Sequence, residues 1–297
     1  MKRMPSLLIL ASALLATAPE PSTALSVTDA TDPQPQVSVV SQAAACGVIC
    51  DGDAGIATSV PAIAPLDKAT ASHLASFGGF DLSANATLAT QYRYRGTNLS
   101  GDRIALQGGI DLGHASGFYA GVWGSQLNDR LTGYGGVELD VYAGYAFPVM
   151  EGVTADIGVI AYTFPDAPVG DLNFFELYSS ITASLGPASA KVGVAWDPGA
   201  NGFAFGGFVR DNLYLHSDLS VGIPATPLTV KAHLGYTDGT RRFATNSGTF
   251  DWSIGASYTV FGPITASVEY VDNAADVPFG PINPNSGNVV GKISVNF

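Results

Sequence analysis

The chain has 297 residues, 35 of them Gly, a formal net charge of -12 and only 13% charged residues against 46% hydrophobic ones. A soluble domain carries about a quarter charged residues, so much of this protein's surface is expected to meet something other than water. The acidic balance argues against a protein that grips nucleic acid by its phosphates, and no nucleic-acid partner is expected.

The N-terminus reads as a secretory signal peptide over residues 1–24. Lys2 and Arg3 precede an apolar run from Leu7 to Ala16, and Ser22-Thr23-Ala24 supplies small residues for cleavage. That run is too short to span a bilayer as a helix, and Gly, Ser, Asp or Lys interrupts every later one. An exported, hydrophobic chain without spanning helices points to a closed β-barrel, whose backbone groups are all paired internally. Residues 25–76 are rich in Ala, Ser, Thr, Pro and Val without periodicity and read as a flexible periplasmic linker. Cys46 and Cys50 lie in it and are suited to a small C-x-x-x-C disulfide in an oxidising compartment. No His or further Cys stands close enough to suggest a metal site there.

From Phe77 to the end, over 77–297, segments of about ten residues alternate apolar with small or polar positions. Leu82, Ala84, Ala86, Leu88, Thr90, Tyr92 and Tyr94 share one face of the first segment, and Asp81, Ser83, Asn85, Thr87, Gln91, Arg93 and Arg95 the other. Further segments fall near 103–112, 118–128, 137–147, 153–163, 174–185, 188–197, 211–223, 228–237, 250–260, 264–272 and 288–297. The fold class is therefore all-β, a membrane-spanning antiparallel up-and-down barrel of about twelve strands. Asp156, Glu176, Lys191, Asp218, Lys231, Asp251, Glu269 and Lys292 all fall on the polar face. A basic residue on the lipid face would cost about 2–4 kcal/mol at the bilayer midplane, whereas a soluble sandwich has no such constraint. Long links alternate with tight ones, as outer loops and periplasmic turns do, which puts both termini in the periplasm. Outward aromatics near strand ends, among them Tyr92, Tyr94, Phe147, Phe175, Trp196, Tyr236, Trp252, Tyr258 and Phe297, are expected to form interfacial girdles.

The last segment, NVVGKISVNF, sets Val289, Gly291, Ile293, Val295 and Phe297 on one face. A strand ending on Phe297 resembles the signal read by the outer-membrane barrel assembly machinery, which captures it by strand addition.

YRYRG at Tyr92–Gly96, LQGGIDLGHASGFYAGVWGS at Leu106–Ser125 and ELDVYAGYAF at Glu138–Phe147 resemble the TorF-type porins, as do DIGVIAYTFP at Asp156–Pro165 and DWSIGASYTVFG at Asp251–Gly262. The resemblance covers roughly residues 77 to 297 and implies an outer-membrane barrel of porin type. It brings no catalytic residue and no defined solute.

The inward face supplies the candidate site. Taking Pro224–Pro227 as a hairpin corner pairs Asp218 with His233 and Ser220 with Lys231. Arg93, Arg95 and Arg103 gather by the first long loop, balanced by Asp111, Glu138 and Asp140. These nine charged or titratable residues are the candidate pore lining, a filter of the kind charged rings form in channels; the alternative is that they simply neutralise one another in a narrow lumen. Inward Tyr119, Trp123, Tyr142, Tyr162 and Tyr178 form either a stacking track for sugars or filling for a small barrel.

Two rival classes remain. Asp218, His233 and Ser220 or Ser253 offer the ingredients of a hydrolase without a motif to join them. The stretches Gly202–Phe208 and 273–287 offer loops for adhesion, or for folding inward to close the lumen. The reading is a porin-like channel for passive diffusion of small hydrophilic solutes, with a modest preference for cations or neutral molecules. Its partners are the outer-membrane bilayer, the assembly machinery and those solutes. No enzymatic step, cofactor or metal is implied.

Overall fold

The computed structural model describes residues 75–168, 172–199, 211–239, 248–275 and 283–297. The expected signal peptide, nearly all of the linker, Cys46, Cys50 and the Gly202–Phe208 stretch lie outside the described residues.

In chain order the strands are β1 (Ala75–Phe77), β2 (Phe80–Ala89), β3 (Arg93–Tyr94), β4 (Thr97–Asn98), β5 (Ala105–His114), β6 (Phe118–Gln126), β7 (Val137–Met150) and β8 (Val153–Thr163). They continue as β9 (Phe174–Leu185), β10 (Ala188–Asp197), β11 (Asn212–Gly222), β12 (Leu228–Gly239), β13 (Thr249–Phe261), β14 (Ile264–Asn273) and β15 (Asn288–Asn296). Twelve of them, β2 and β5 to β15, form a closed antiparallel barrel, because β2 pairs with both β5 and β15. β1 is a short addition along β2, and β3 with β4 forms a separate small hairpin. The terminal Phe297 takes part in the closure: its N–H donates to Ala84 O at 2.8 Å, and Ala84 N–H donates back to Phe297 O at 3.0 Å.

Each wall shows the period of two that the sequence carries. On β9, Leu177 and Ile181 point out and are about half exposed, while Glu176, Tyr178 and Ser180 on the other face are buried inside. On β15, Val289 and Ile293 face out while Val290 and Lys292 are buried. Closure removes every free edge, so the backbone is satisfied while the outer surface stays apolar, which suits lipid and not water. Among the described residues no helix is long and apolar enough to cross a membrane. Aromatic belts mark both ends of the outer face. Phe77, Phe80, Phe118, Tyr145, Phe147, Tyr258 and Phe261 lie toward the tight turns, and Trp196, Phe250, Trp252 and Tyr270 toward the long loops.

The tight turns need little sequence. Gly186 (φ 58) and Gly262 (φ 50) adopt the left-handed backbone that lets two strands reverse in so few residues. Pro148, which cannot donate to a ladder, sits near the end of β7 where the pairing with β8 shifts register.

One strand boundary differs from the sequence pattern. The alternation runs unbroken to Arg95, but β2 ends at Ala89 and the chain then leaves the wall. Tyr92 and Tyr94 are therefore not girdle residues; they are 1% and 8% exposed, inside the barrel. The periodicity persists because β3 is itself extended, so pattern alone cannot tell a continuing wall strand from a hairpin turned inward.

Candidate functional site

The site is the barrel interior, and its dominant feature is the first long loop, residues 90–104, called L1 below. Residues 91–100 of L1 are all buried. Its core is the β3–β4 hairpin, turned at Arg95-Gly96 with φ of 49 and 77. Positive φ at both central residues is the type I′ geometry, whose twist matches a tight hairpin and for which Gly at the second place is favoured. Asn98 organises the return: its Oδ1 accepts from the N–H groups of Ser100 and Gly101, and its Nδ2 donates to Asp102 at 2.8 Å. Leu99 N–H donates to Tyr92 O, and Tyr92 N–H to Ser100 Oγ, so L1 is a self-bonded unit rather than slack chain.

The hairpin leaves from the β2–β5 side with its Gly96 turn against Asp272 and Asn273 at the end of β14. The Arg95 side chain reaches from it across the lumen to β9 and β11, the strands that flank the opposite wall. There Arg95 Nη2 donates to both oxygens of Glu176, at 2.7 and 2.8 Å, and its guanidinium lies 3.9 Å from the Tyr214 ring centroid and 4.7 Å from that of Tyr94. Arg95 and Glu176 have side chains 4% and 0% exposed. Burial by itself would lower the guanidinium pKa, but Glu176 outweighs it, and Arg95 stays firmly charged. Arg95 O accepts from Asn273 Nδ2 at 2.7 Å, Thr97 Oγ1 donates to Asn285 Oδ1 at 2.9 Å, and Asn98 N–H donates to Pro284 O at 2.8 Å. At Gly96 a side chain has no room: a Cβ would stand 2.8 Å from Asp272 O and from Asn273 Cβ. A cavity of about 10 Å³ between L1 and the wall, beside Arg93, Glu269 and Lys292, has space for about one water.

The expected pore lining divides between this plug and the wall. Arg93 and Arg95 lie in the hairpin; Arg93 Nη1 donates to Gly96 O and its Nε to Gln91 Oε1. Arg103 is exposed at the far end of L1 and does not join them, because the chain is by then climbing back to β5. Glu138 accepts from Tyr92 O–H at 3.0 Å, and Asp140 is fully buried beside it on β7. Asp111 accepts from Tyr142 O–H. Lys231 is half-buried toward the tight turns, opposite Ser220 as the register predicts.

The inward aromatics fill space. Tyr119 O–H bonds both Asp156, at 2.8 Å, and the Tyr178 hydroxyl, at 2.5 Å. Tyr162 donates to Glu176 and stacks on Phe174 at 4.4 Å, and Trp123 packs against Tyr92 of L1. None of these rings forms an open track.

On the other wall Asp218 and His233 are direct partners, with Nδ1 to Oδ1 at 2.6 Å. His233 Nε2 lies 3.0 Å from Asp251 Oδ1 and 2.9 Å from the Tyr214 hydroxyl. Both imidazole nitrogens are thus engaged without a serine, and no Ser–His–acid relay is assembled from Ser220 or Ser253 among the described residues. His216, unnoticed in the sequence, closes the group: its Nδ1 is 2.8 Å from Asp218 Oδ2. The signal was present, since His216 and Asp218 are two apart on one strand and must share a face. Glu176 as the counter-ion of Arg95 had no such signal, being a contact across the lumen.

A family model for bacterial proteins of unknown function, Gcw_chp, matches residues 73–292. The chain belongs to that family. The match takes in every wall strand of the Gcw_chp barrel except the last residues of β15. Among solved structures the barrel is similar to the NanC porin, at 14% identity and a TM-score of 0.50, over 73% of this chain and 98% of that one. It is similar also to the KdgM porin, at 13% identity and a TM-score of 0.49, over 72% of this chain and 98% of that one. OprD from Pseudomonas aeruginosa aligns at 16% identity and a TM-score of 0.38, over 74% of this chain and 65% of that one. At such identities the NanC likeness speaks for a shared barrel fold and nothing finer. No curated protein matches the sequence.

Proposed function

We propose that this Gcw_chp protein is an outer-membrane channel of porin type, with L1 as its constriction. The observation that carries the reading is the contrast between an apolar outer face and an interior built from Tyr, Arg, Asp and Glu. A protein that only needed to sit in lipid would gain nothing from burying so many ionisable groups, each of which costs desolvation unless paired. A polar interior becomes useful when water and solutes enter it. The long loops face outside, both termini lie in the periplasm, and residues 1–24 and 25–76 are the cleaved signal and the linker. The resemblance to TorF-type porins supports the same assignment.

Passage is passive, and the solutes are small and hydrophilic. On the inward face of the strands Asp and Glu outnumber Lys, so cations and neutral molecules are favoured over anions. Arg93 and Arg95 do not reverse this, because Arg95 is neutralised by Glu176 and Arg93 lies among carboxylates.

The burial of L1 supports a second reading, a barrel closed at rest and lacking measurable conductance. Single-channel recording of the refolded protein in a planar bilayer with a salt gradient separates the two. Discrete steps, with a reversal potential whose sign reports cation preference, are expected. A correctly folded barrel that stays silent, and stays silent when 91–103 is replaced by a short Gly-Ser turn, would overturn the channel reading.

A further inference from the structure

We propose that His216, Asp218 and His233 form a binding site for a late divalent transition metal ion such as Zn2+, set in the barrel wall. The inference goes beyond the channel reading and does not depend on it, because a wall site binds whether or not the barrel conducts.

The geometry comes from two adjacent strands. His216 and Asp218 are neighbours on the inward face of β11, and His233 stands directly across from Asp218 on β12. Their donor atoms all lie within 4.8 Å of one another. Asp218 is the centre: Oδ2 faces His216 Nδ1 at 2.8 Å and Oδ1 faces His233 Nδ1 at 2.6 Å. Ligands on a tetrahedral zinc, at about 2.0–2.1 Å from the metal, are separated by roughly 3.3 Å, so the two Asp218 contacts need to open by about half an ångström while the ligand atoms, which span up to 4.8 Å, draw in to that spacing. Two imidazole nitrogens and one carboxylate oxygen suit Zn2+, Ni2+, Co2+ or Cu2+; Ca2+ and Mg2+ prefer all-oxygen shells.

Two further observations favour a ligand over a simple ion pair. First, His233 is oriented from behind. Its Nε2 meets Asp251 Oδ1 at 3.0 Å, and Asp251 is 2% exposed. A carboxylate there holds the proton on Nε2, so that an ion arriving at the site displaces the Nδ1 proton that faces Asp218, which leaves the arrangement that metal-bound histidines commonly show. Second, His216 is given a bed. It stacks on Tyr214 with ring centroids 5.6 Å apart and planes 11° apart, above Gly193, where a Cβ would come within 2.2 Å of His216 Nε2. The ring is therefore held flat with Nδ1 forward. Asp218, by contrast, has a side chain 41% exposed toward the tight-turn half of the lumen, which leaves a side for the ion to arrive and for water to complete its shell.

The test is Zn2+ titrated into the full-length refolded barrel in detergent micelles, followed by calorimetry, with Co2+ as a spectroscopic substitute. One site that is weakened at least about tenfold in each of His216→Gln, His233→Gln and Asp218→Asn, and lost in the double histidine variant, is expected. Asp251→Asn, which leaves all three ligands in place, is expected to weaken binding by about 10–100-fold. Asp218→Asn keeps the shape and hydrogen-bonding capacity of the side chain, so it reports on the ion and not on folding; heat-modifiable gel mobility checks each variant. The Co2+ form should show the visible bands of a four-coordinate site with nitrogen ligands. Equal Zn2+ uptake by wild type and the double histidine variant would overturn the proposal, since binding would then lie elsewhere, for instance at Cys46 and Cys50. So would no uptake at all, or a Co2+ spectrum of the six-coordinate aqua type.

Discussion

The two halves of the lumen are built on the same strands, yet they differ. Toward the long loops, inward Asp140, Glu176, Tyr214 and Asp251 are buried; a few residues along the same strands, inward Thr182, Asp218 and Ser253 are only half-buried. Neither strand length nor wall composition makes the difference, because both halves carry carboxylates, hydroxyls and aromatics. L1 makes it. Where the hairpin lies, the charges are sealed from water; where it stops, Asp111, Asp156 and Asp218 keep their hydrogen-bond partners but are only half-buried. Among the described residues the filling of the long-loop half thus rests on L1 with Asn273, Pro284 and Asn285 of the last long loop bonded to it, and loops can move on a timescale of nanoseconds to microseconds when a closed wall cannot.

The largest effect should come from removing that difference outright. Replacing 91–103 with a short Gly-Ser turn makes the long-loop half resemble the other, and single-channel conductance is expected to rise severalfold. Because β2 pairs with β5 along its whole length, from Phe80 with His114 to Ala89 with Ala105, the wall does not need L1 to close. A deletion variant that folds, as judged by heat-modifiable mobility, yet conducts no more than wild type would show that L1 is not the constriction.

Next in size is the anchor. Glu176→Ala leaves the Arg95 guanidinium buried without its carboxylate, and breaking a buried pair by removing one partner costs about 3–5 kcal/mol. The hairpin has an escape that a core residue lacks: it can leave the wall. Part of the cost should therefore appear as a larger open fraction in bilayer recordings, and the remainder as a lower urea midpoint in liposomes. Adding Arg95→Ala removes the stranded charge and should recover much of the stability. A double-mutant cycle with no coupling would sink the anchor role.

This anchor marks how far the sequence could be read. Strand positions, faces and the alternation of long and tight links are local properties with a period of two, so β5 to β15 are found within a few residues of where the pattern sets them. Asp218 and His233 were legible because a tight turn fixes register across two strands. His216 needed only the same rule applied once more. Arg95 and Glu176 are 81 residues apart and meet through the barrel interior, which no period encodes. The inward turn of L1 was half legible: Arg95-Gly96 with extended residues on both sides is a two-residue hairpin signal, but the unbroken alternation from β2 concealed it.

A smaller test works on the hairpin tip alone. Gly96→Ala places a methyl group against Asp272 O and Asn273 in a backbone region with φ of 77. The left-handed conformation costs a non-Gly residue roughly 1–2 kcal/mol, before the clash is counted. The barrel should melt at nearly the wild-type temperature while conductance rises by less than in the deletion. A drop in barrel stability as large as that of Glu176→Ala would mean that the tip is part of the wall's foundation and not a movable piece.

The smallest effect belongs to the open half. Lys231 lies inward on β12, half-buried, opposite Ser220 and away from L1. Lys231→Gln removes one positive charge from a region that water reaches, where interactions are screened over about 8 Å at physiological salt. Stability and conductance should hardly change. The reversal potential under a salt gradient should shift toward cations by a few millivolts, an effect that should grow at low salt. In the L1 deletion the same substitution should shift the potential further, because the constriction no longer dominates the resistance and the open half then sets selectivity. An equal shift in both backgrounds would mean that the two halves already act as one pore.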